Sequence, residues 1–124
     1  MHIPEQLYYT KNHEWIKFDE GGAIIGITDF AQGELGDIIY VELPDKGTSF
    51  NAGDSVGTIE AVKTVADIYI PLDGTISEIN KSLEEQPELI NNDPYAKGWI
   101  LKLSNISKEN TKILSSSEYR KIIH

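Results

Sequence analysis

No cysteine occurs in this chain, so neither a disulfide framework nor a thiolate-bound metal can staple it. Long apolar runs are missing as well. The stretch Ile38-Ile39-Tyr40-Val41 is strand-sized, far below the roughly 20 residues a helix needs to cross a bilayer. Positive charge is scarce: 11 Lys and Arg stand against 20 Asp and Glu, for a formal net charge of -9. No basic cluster is available to track a phosphate backbone or an anionic lipid surface. Nucleic-acid and membrane binding are therefore not expected, whereas an acidic surface suits basic patches on protein partners. The N-terminal residues include Glu5, Lys11, Glu14 and Lys17 and form neither an apolar signal segment nor an Arg-rich, acid-poor transit segment. A cytoplasmic protein is the expectation.

Recognisable catalytic signatures are missing too. His2, His13 and His124 lie far apart in the sequence without metal-ligand spacing, so they read as surface or partly packed histidines. No nucleophile elbow, Walker loop or dinucleotide fingerprint follows a strand-like run. Gly33-Glu34-Leu35-Gly36 reads as a turn rather than a phosphate cradle. Glu14 and Asp67 can be paired on paper as an acid and a base, but no pocket for them is visible in the sequence.

What is present is a chain of 124 residues, 40% hydrophobic and 25% charged, the size and balance of one folded domain. Gly, Pro, Asp and Asn punctuate the first eighty or so residues in the rhythm of short strands and tight turns. Trp15–Phe18 and Ala23–Ile27 flank Asp19-Glu20-Gly21-Gly22 as a hairpin. Thr28 is placed to cap a helical turn through Gln32, closed by Gly33. Asp37–Leu43 is strand-like, Asp45-Lys46-Gly47 and Asn51-Ala52-Gly53-Asp54 are turns, and Asp73-Gly74 joins Ile68–Ile70 to Thr75–Ile79. A faint echo relates Gly26 and Asp37-Ile38 to Gly57 and Asp67-Ile68, in the manner of two similar β halves. Pro87–Pro94 reads as a turn or short helical segment and Trp99–Leu103 as a further strand. Ser115-Ser116-Ser117-Glu118 has the form of a helix capping box, with Tyr119, Ile122 and Ile123 on one face of the helix it starts. A small sandwich or barrel is expected.

Lys63 stands out. It is centred in Glu60-Ala61-Val62-Lys63-Thr64-Val65-Ala66-Asp67, with strand-like sequence entering from Ser55–Ile59 and leaving through Ile68–Ile70. That places the amine at a hairpin tip. The tip lacks the Asn-Gly or Asp-Gly pair favoured in purely structural hairpins, and its neighbours are unusually apolar for exposed positions. The pattern fits an amine presented to another protein for modification, and leaves the group unnamed.

The chain resembles the H protein of the glycine cleavage system, a lipoyl carrier. The resemblance runs from about Tyr8 to Tyr119. It rests on His13-Glu14-Trp15, Gly26–Gln32, Leu35–Ile38, Gly53-Asp54, Glu60–Lys63 with Asp67, Asn92–Tyr95 and Gly98-Trp99. Ala61 replaces the serine usual before Val-Lys in the family, and Pro71–Gly74 is a mild variant of the next turn. The resemblance implies a mainly β barrel-sandwich hybrid with short helices. It also implies one lipoyl-carrier domain over residues 1–124, with a β core over about 8–104 and a C-terminal helical segment over about 107–124.

By the same resemblance, lipoate is joined covalently to Lys63. Glu14 and Asp67 become docking contacts for the arm, and Glu60, Ala61, Val62 and Thr64 are read by the modifying enzyme. The implied partners are a pyridoxal-phosphate glycine decarboxylase, a tetrahydrofolate-dependent aminomethyltransferase, dihydrolipoyl dehydrogenase and a lipoate ligase or transferase. The chain itself is a non-catalytic carrier, expected as a monomer because it must dock on several enzymes. A tether holds its cargo at an effective concentration on the order of millimolar. A carboxylate about 4 Å from the ammonium on the loaded arm contributes roughly 1 to 4 kcal/mol, according to screening. The absence of cysteine removes a protein thiolate that would attack the lipoyl disulfide. Two alternatives share Lys63: a relay that donates lipoate to 2-oxoacid dehydrogenases, and a biotin carrier. Biotinyl sites resemble Met-Lys-Met, whereas Val62 and Thr64 flank this lysine.

Overall fold

Turn chemistry cuts the chain into strands too short to bury much alone, so they assemble into two sheets closed on one another. The computed structural model describes residues 2–109 and 112–123; His124 lies outside the described residues. In order, the elements are β1 (Tyr8–Tyr9), β2 (Glu14–Asp19), β3 (Gly22–Ile27), α1 (Asp29–Leu35), β4 (Ile38–Glu42), β5 (Ser49–Phe50) and β6 (Ser55–Ala61). They continue with β7 (Val65–Tyr69), β8 (Asp73–Ile79), α2 (Ser82–Glu85), α3 (Leu89–Asn92), β9 (Leu101–Ser107) and α4 (Ser116–Ile122). One sheet runs β1-β2-β3-β9-β8-β5 and the other β4-β6-β7. Every pairing between these strands is antiparallel. This is the expected barrel-sandwich with short helices. Among the described residues no helix is long and apolar enough to cross a membrane.

The alternation of each strand explains where the core lies. Ile16, Ile25, Ile76, Leu101 and Leu103 from the larger sheet meet Val41, Ile59 and Ile68 from the smaller one, all buried. Burial of such side chains contributes about 1.5–3 kcal/mol each. A second cluster joins Tyr9, Trp15 and Tyr119 to Ile3 and Leu7. Here α4 docks, with the Tyr9 and Tyr119 rings stacked at 4.8 Å. The Ser115 capping box forms both of its hydrogen bonds.

Several local expectations shift. The helix capped by Thr28 does not stop at Gly33 but runs to Leu35, closed by Gly36 at φ 80 with its N–H on the Gln32 carbonyl. Gly33-Glu34-Leu35-Gly36 is therefore helix end rather than a free turn; of its two glycines only Gly36 has a positive φ, which side chains rarely adopt. Asp73 and Gly74 already belong to β8, and β7 and β8 lie in different sheets. The chain between them crosses from one sheet to the other through Ile70-Pro71-Leu72. On α4, Tyr119 is buried and Ile123 packs beside it, but Ile122 is exposed. β9 extends to Ser107, and among the described residues the next helix begins at Ser116. The stretch after Gly26 contains α1, whereas that after Gly57 contains a hairpin tip.

Gly26 holds the site together by what it lacks. A Cβ there would lie 2.5 Å from the Trp15 ring, whose Nε1 donates to the Pro94 carbonyl at 2.9 Å. Gly26→Ala is therefore expected to destabilise the fold by about 1–3 kcal/mol through overpacking. Urea unfolding followed by tryptophan fluorescence measures this, and an unchanged midpoint would contradict the packing described.

Candidate functional site

The β6–β7 hairpin is closed by the Ala61 N–H, which donates to the Thr64 carbonyl at 2.8 Å. Val62, Lys63 and Thr64 form the tip and are all exposed. The Val62 N–H reaches the Asp37 carbonyl at 3.1 Å, tying the tip to the α1–β4 connection. Among the described residues the Lys63 ammonium has no ion-pair partner. Of the residues flanking it, Glu60 is exposed, whereas Ala61 is buried opposite Ile38, so the Ala61 side chain is not surface that a partner can read directly.

Two hollows lie on either side of α1. The first, about 700 Å³, is bordered by Val62, Lys63 and Thr64 on one side and Glu34 and Leu35 on the other. The second is a cleft of about 410 Å³ with walls of Ile27, Phe30, Leu35, Ile59 and Ile68, bordered by buried Glu14 and, at its exposed rim, by Asp67. Glu34 and Leu35 border both. The C-terminal turn of α1 is thus a saddle between the lysine and the cleft. Its placement was missed because those residues read as a turn.

Asn91 fixes that saddle. Its amide donates to the Gln32 side chain at 3.0 Å and the Gly36 carbonyl at 2.9 Å, while its oxygen accepts the Ile38 N–H at 3.0 Å. At the other end Thr28 caps α1 and meets the Tyr119 hydroxyl at 2.8 Å. The same hydroxyl bonds His13 Nδ1 at 2.8 Å. His13 adopts φ 67, a left-handed conformation in which His is enriched several-fold. That conformation lets His13 and Glu14 both border the cleft.

The two acids differ in setting. Asp67 is exposed on edge strand β7 and accepts the Tyr69 hydroxyl at 3.3 Å. This acid pushes the Tyr69 phenol above its ordinary value by charge and by hydrogen bonding. Glu14 is only 3% exposed and receives the Thr10 hydroxyl. Burial raises its pKa from 4.5 to about 7, the Thr10 bond opposing the rise. Burial likewise lowers His13, with Glu34 pulling the other way. Glu34 is thus a third acid at the cleft. Nothing in its local sequence marked it, and helical spacing from Phe30 and Ala31 was the signal available.

A family model described as glycine cleavage H-protein matches residues 7–124. The chain belongs to the glycine cleavage H-protein family. It is 52% identical over 124 residues to the glycine cleavage system H protein of Listeria monocytogenes serotype 4b (strain CLIP80459), covering 99% of each chain. To that of Herpetosiphon aurantiacus it is 48% identical over 122 residues, covering 98% of this chain and 94% of the relative. A crystal structure of a glycine cleavage system H protein from Mycobacterium marinum superposes with a TM-score of 0.89 at 36% identity, covering 96% of this chain and 97% of that one. The structure gives H-protein family motifs physical jobs here. His13 bonds α4, Glu14 borders the cleft, and Trp15 packs on Gly26 and Pro94.

The raised pKa of Glu14 has a consequence for stability. A carboxyl that binds its proton more tightly when folded leaves the native state unpenalised below the unfolded pKa of 4.5. The penalty grows as pH rises and is complete above about 7. It amounts to roughly 3 kcal/mol. Glu14→Gln is expected to match the wild type in urea at pH 4 and to exceed it by roughly 2–3 kcal/mol at pH 8. A difference independent of pH would contradict the burial argument.

Proposed function

We propose that this chain is the lipoyl-bearing carrier of the glycine cleavage system, built as one carrier domain. In this reading it takes an aminomethyl group derived from glycine from the decarboxylase to the tetrahydrofolate-dependent aminomethyltransferase. Dihydrolipoyl dehydrogenase then restores it. The observation that carries the reading is the continuity from Lys63 across the Glu34–Leu35 saddle into a cleft that is apolar on its walls and acidic at its base. Lipoate, amide-linked to Lys63, supplies a disulfide that can be reduced, bear cargo on one sulfur and be reoxidised.

The residues divide the remaining work. Lys63 is exposed, without an ion-pair partner among the described residues, and therefore free to be acylated. Acylation removes its charge, so the arm can lie on Leu35 and Phe30 without stranding an ammonium on apolar surface. The cleft walls exclude water from whatever lies between them. Burial brings the Glu14 pKa to about 7, so a large share of it is protonated in the empty cleft near neutral pH. A cation arriving nearby favours its ionised form, so docking of an ammonium is coupled to release of a proton from Glu14. Asp67 at the rim stays within reach of solvent and guides the same charge. Neither acid forms a bond to the cargo, in keeping with a carrier rather than a catalyst.

Intact mass and peptide mapping after incubation with lipoate, ATP and a lipoate ligase test the assignment. A single lipoyl increment is expected at Lys63 and none on Lys63→Arg, whose urea midpoint should match the wild type. Absence of a lipoyl increment at Lys63, or glycine cleavage that survives Lys63→Arg in a reconstituted system, would overturn it.

A further inference from the structure

The outward face of the small sheet is unusual for a surface that nothing covers. Cross-strand register places Tyr40, Glu60 and Val65 in one row across β4, β6 and β7, with Glu42, Thr58 and Asp67 in the next row. Residues directly opposite in antiparallel strands share a face. The row between them faces the other way, Val41 and Ile59 into the core and half-buried Ala66 along the cleft. A register shift between Ile38 and Tyr40 turns two consecutive residues, Ile39 and Tyr40, outward, as a bulge does. Ile39, Tyr40, Val62 and Val65 are each more than half exposed. Four large apolar side chains thus gather around the base of the Lys63 tip. Solvent alone gives no reason for such a grouping.

We propose that this face is the docking surface for the enzyme that acylates Lys63, presenting an apolar patch to a partner whose matching surface is apolar at its centre and basic at its rim. The inference rests on the carrier reading above and deepens it by naming the surface. Reach decides which partner is meant. Before acylation the amine stands at the end of a four-carbon stem, so an enzyme that brings it to an acyl donor must close over the tip and its flanks. Enzymes that act at the far end of the finished arm work a whole acyl chain away and need no such contact. Charge gives the rim. β4, β6, β7 and the tip carry Glu42, Glu60 and Asp67, with Lys63 their one base; α2 beside β4 adds Glu84 and Glu85, with Lys81 at its start. Complementary charge speeds encounter and fixes orientation. In the reaction the Lys63 nitrogen attacks the carbonyl of a lipoyl adenylate. The amide C–N bond forms, the C–O bond to AMP breaks, and the amine loses a proton to solvent.

The test compares two rates on the full-length protein. Tyr40→Ser and Val65→Ser, shown to fold by unchanged urea midpoints, are acylated with lipoate, ATP and a lipoate ligase. The same variants, driven to full acylation by long incubation, are then loaded by the decarboxylase with glycine. The proposal expects acylation kcat/KM to fall about tenfold or more while loading stays within about twofold of wild type. Glu42→Lys is expected to lower acylation about 3- to 10-fold at low salt, and the loss should shrink as salt is raised. Undiminished acylation of the serine variants with an acylated wild type overturns this proposal alone, as does an equal fall in both rates. A wild type that is never acylated at Lys63 overturns the carrier reading and this proposal with it.

Discussion

The Tyr119 hydroxyl lies 2.8 Å from both His13 Nδ1 and Thr28 Oγ1, and through it three distant parts of the chain are tied. One is the turn into β2, another the N-cap of α1, the third the C-terminal helix. The hydroxyl is carried by a fully buried ring stacked on Tyr9, so water cannot replace a lost partner. In such a network, removing one member leaves the others with the full cost of an unmet bond, about 1–3 kcal/mol. The geometry of the cleft follows from this tie, because Thr28 sets where α1 begins and His13 sets where β2 delivers Glu14.

A helix of seven residues has little stability of its own. α1 exists because both of its ends are held, by Thr28 and Tyr119 at one and by Asn91 at the other. That makes it a rigid divider between the lysine-bearing tip and the acid-bearing cleft. On the proposed carrier reading, an arm on Lys63 would meet a fixed, partly apolar crossing at Leu35. A buried carboxyl waits beyond it, where electrostatic interactions are less screened than at the surface. The same low polarity that strengthens attraction for a cation also raises the cost of ionising Glu14 in its absence. In such a setting Glu14 shares its time between the protonated and ionised forms near neutral pH, and a cation beside it favours the ionised one.

Much of the fold was legible because its signals are local. The hairpin around Gly21, the Thr28 cap, the turns at Gly47 and Gly53, and the Ser115 capping box depend on residues a few positions apart, and each forms as read. The misreadings arose where a local signal had two uses. Gly33 looked like a helix stop, yet only Gly36 adopts the positive φ that ends α1. Asp73-Gly74 read as the link between two strands, yet both residues lie inside β8, and the strands on either side of the crossing belong to different sheets. Lys63 was visible because its neighbours are odd for a tip. The burial of Glu14 was not, since three strands, α1 and Thr10 must converge before that carboxyl loses its water. The saddle at Glu34 and Leu35 is of the same kind. No sequence window contains both sides of it.

We propose that cargo on Lys63 crosses the saddle and comes to rest beside Glu14. The most direct measurement is the titration of the Glu14 carboxyl by carbon NMR in the unmodified, lipoylated and aminomethyl-loaded protein. The unmodified form should titrate near pH 7, as its burial dictates, and the loaded form well below it, because a neighbouring ammonium favours the carboxylate. A Glu14 titration that does not move on loading would contradict the account.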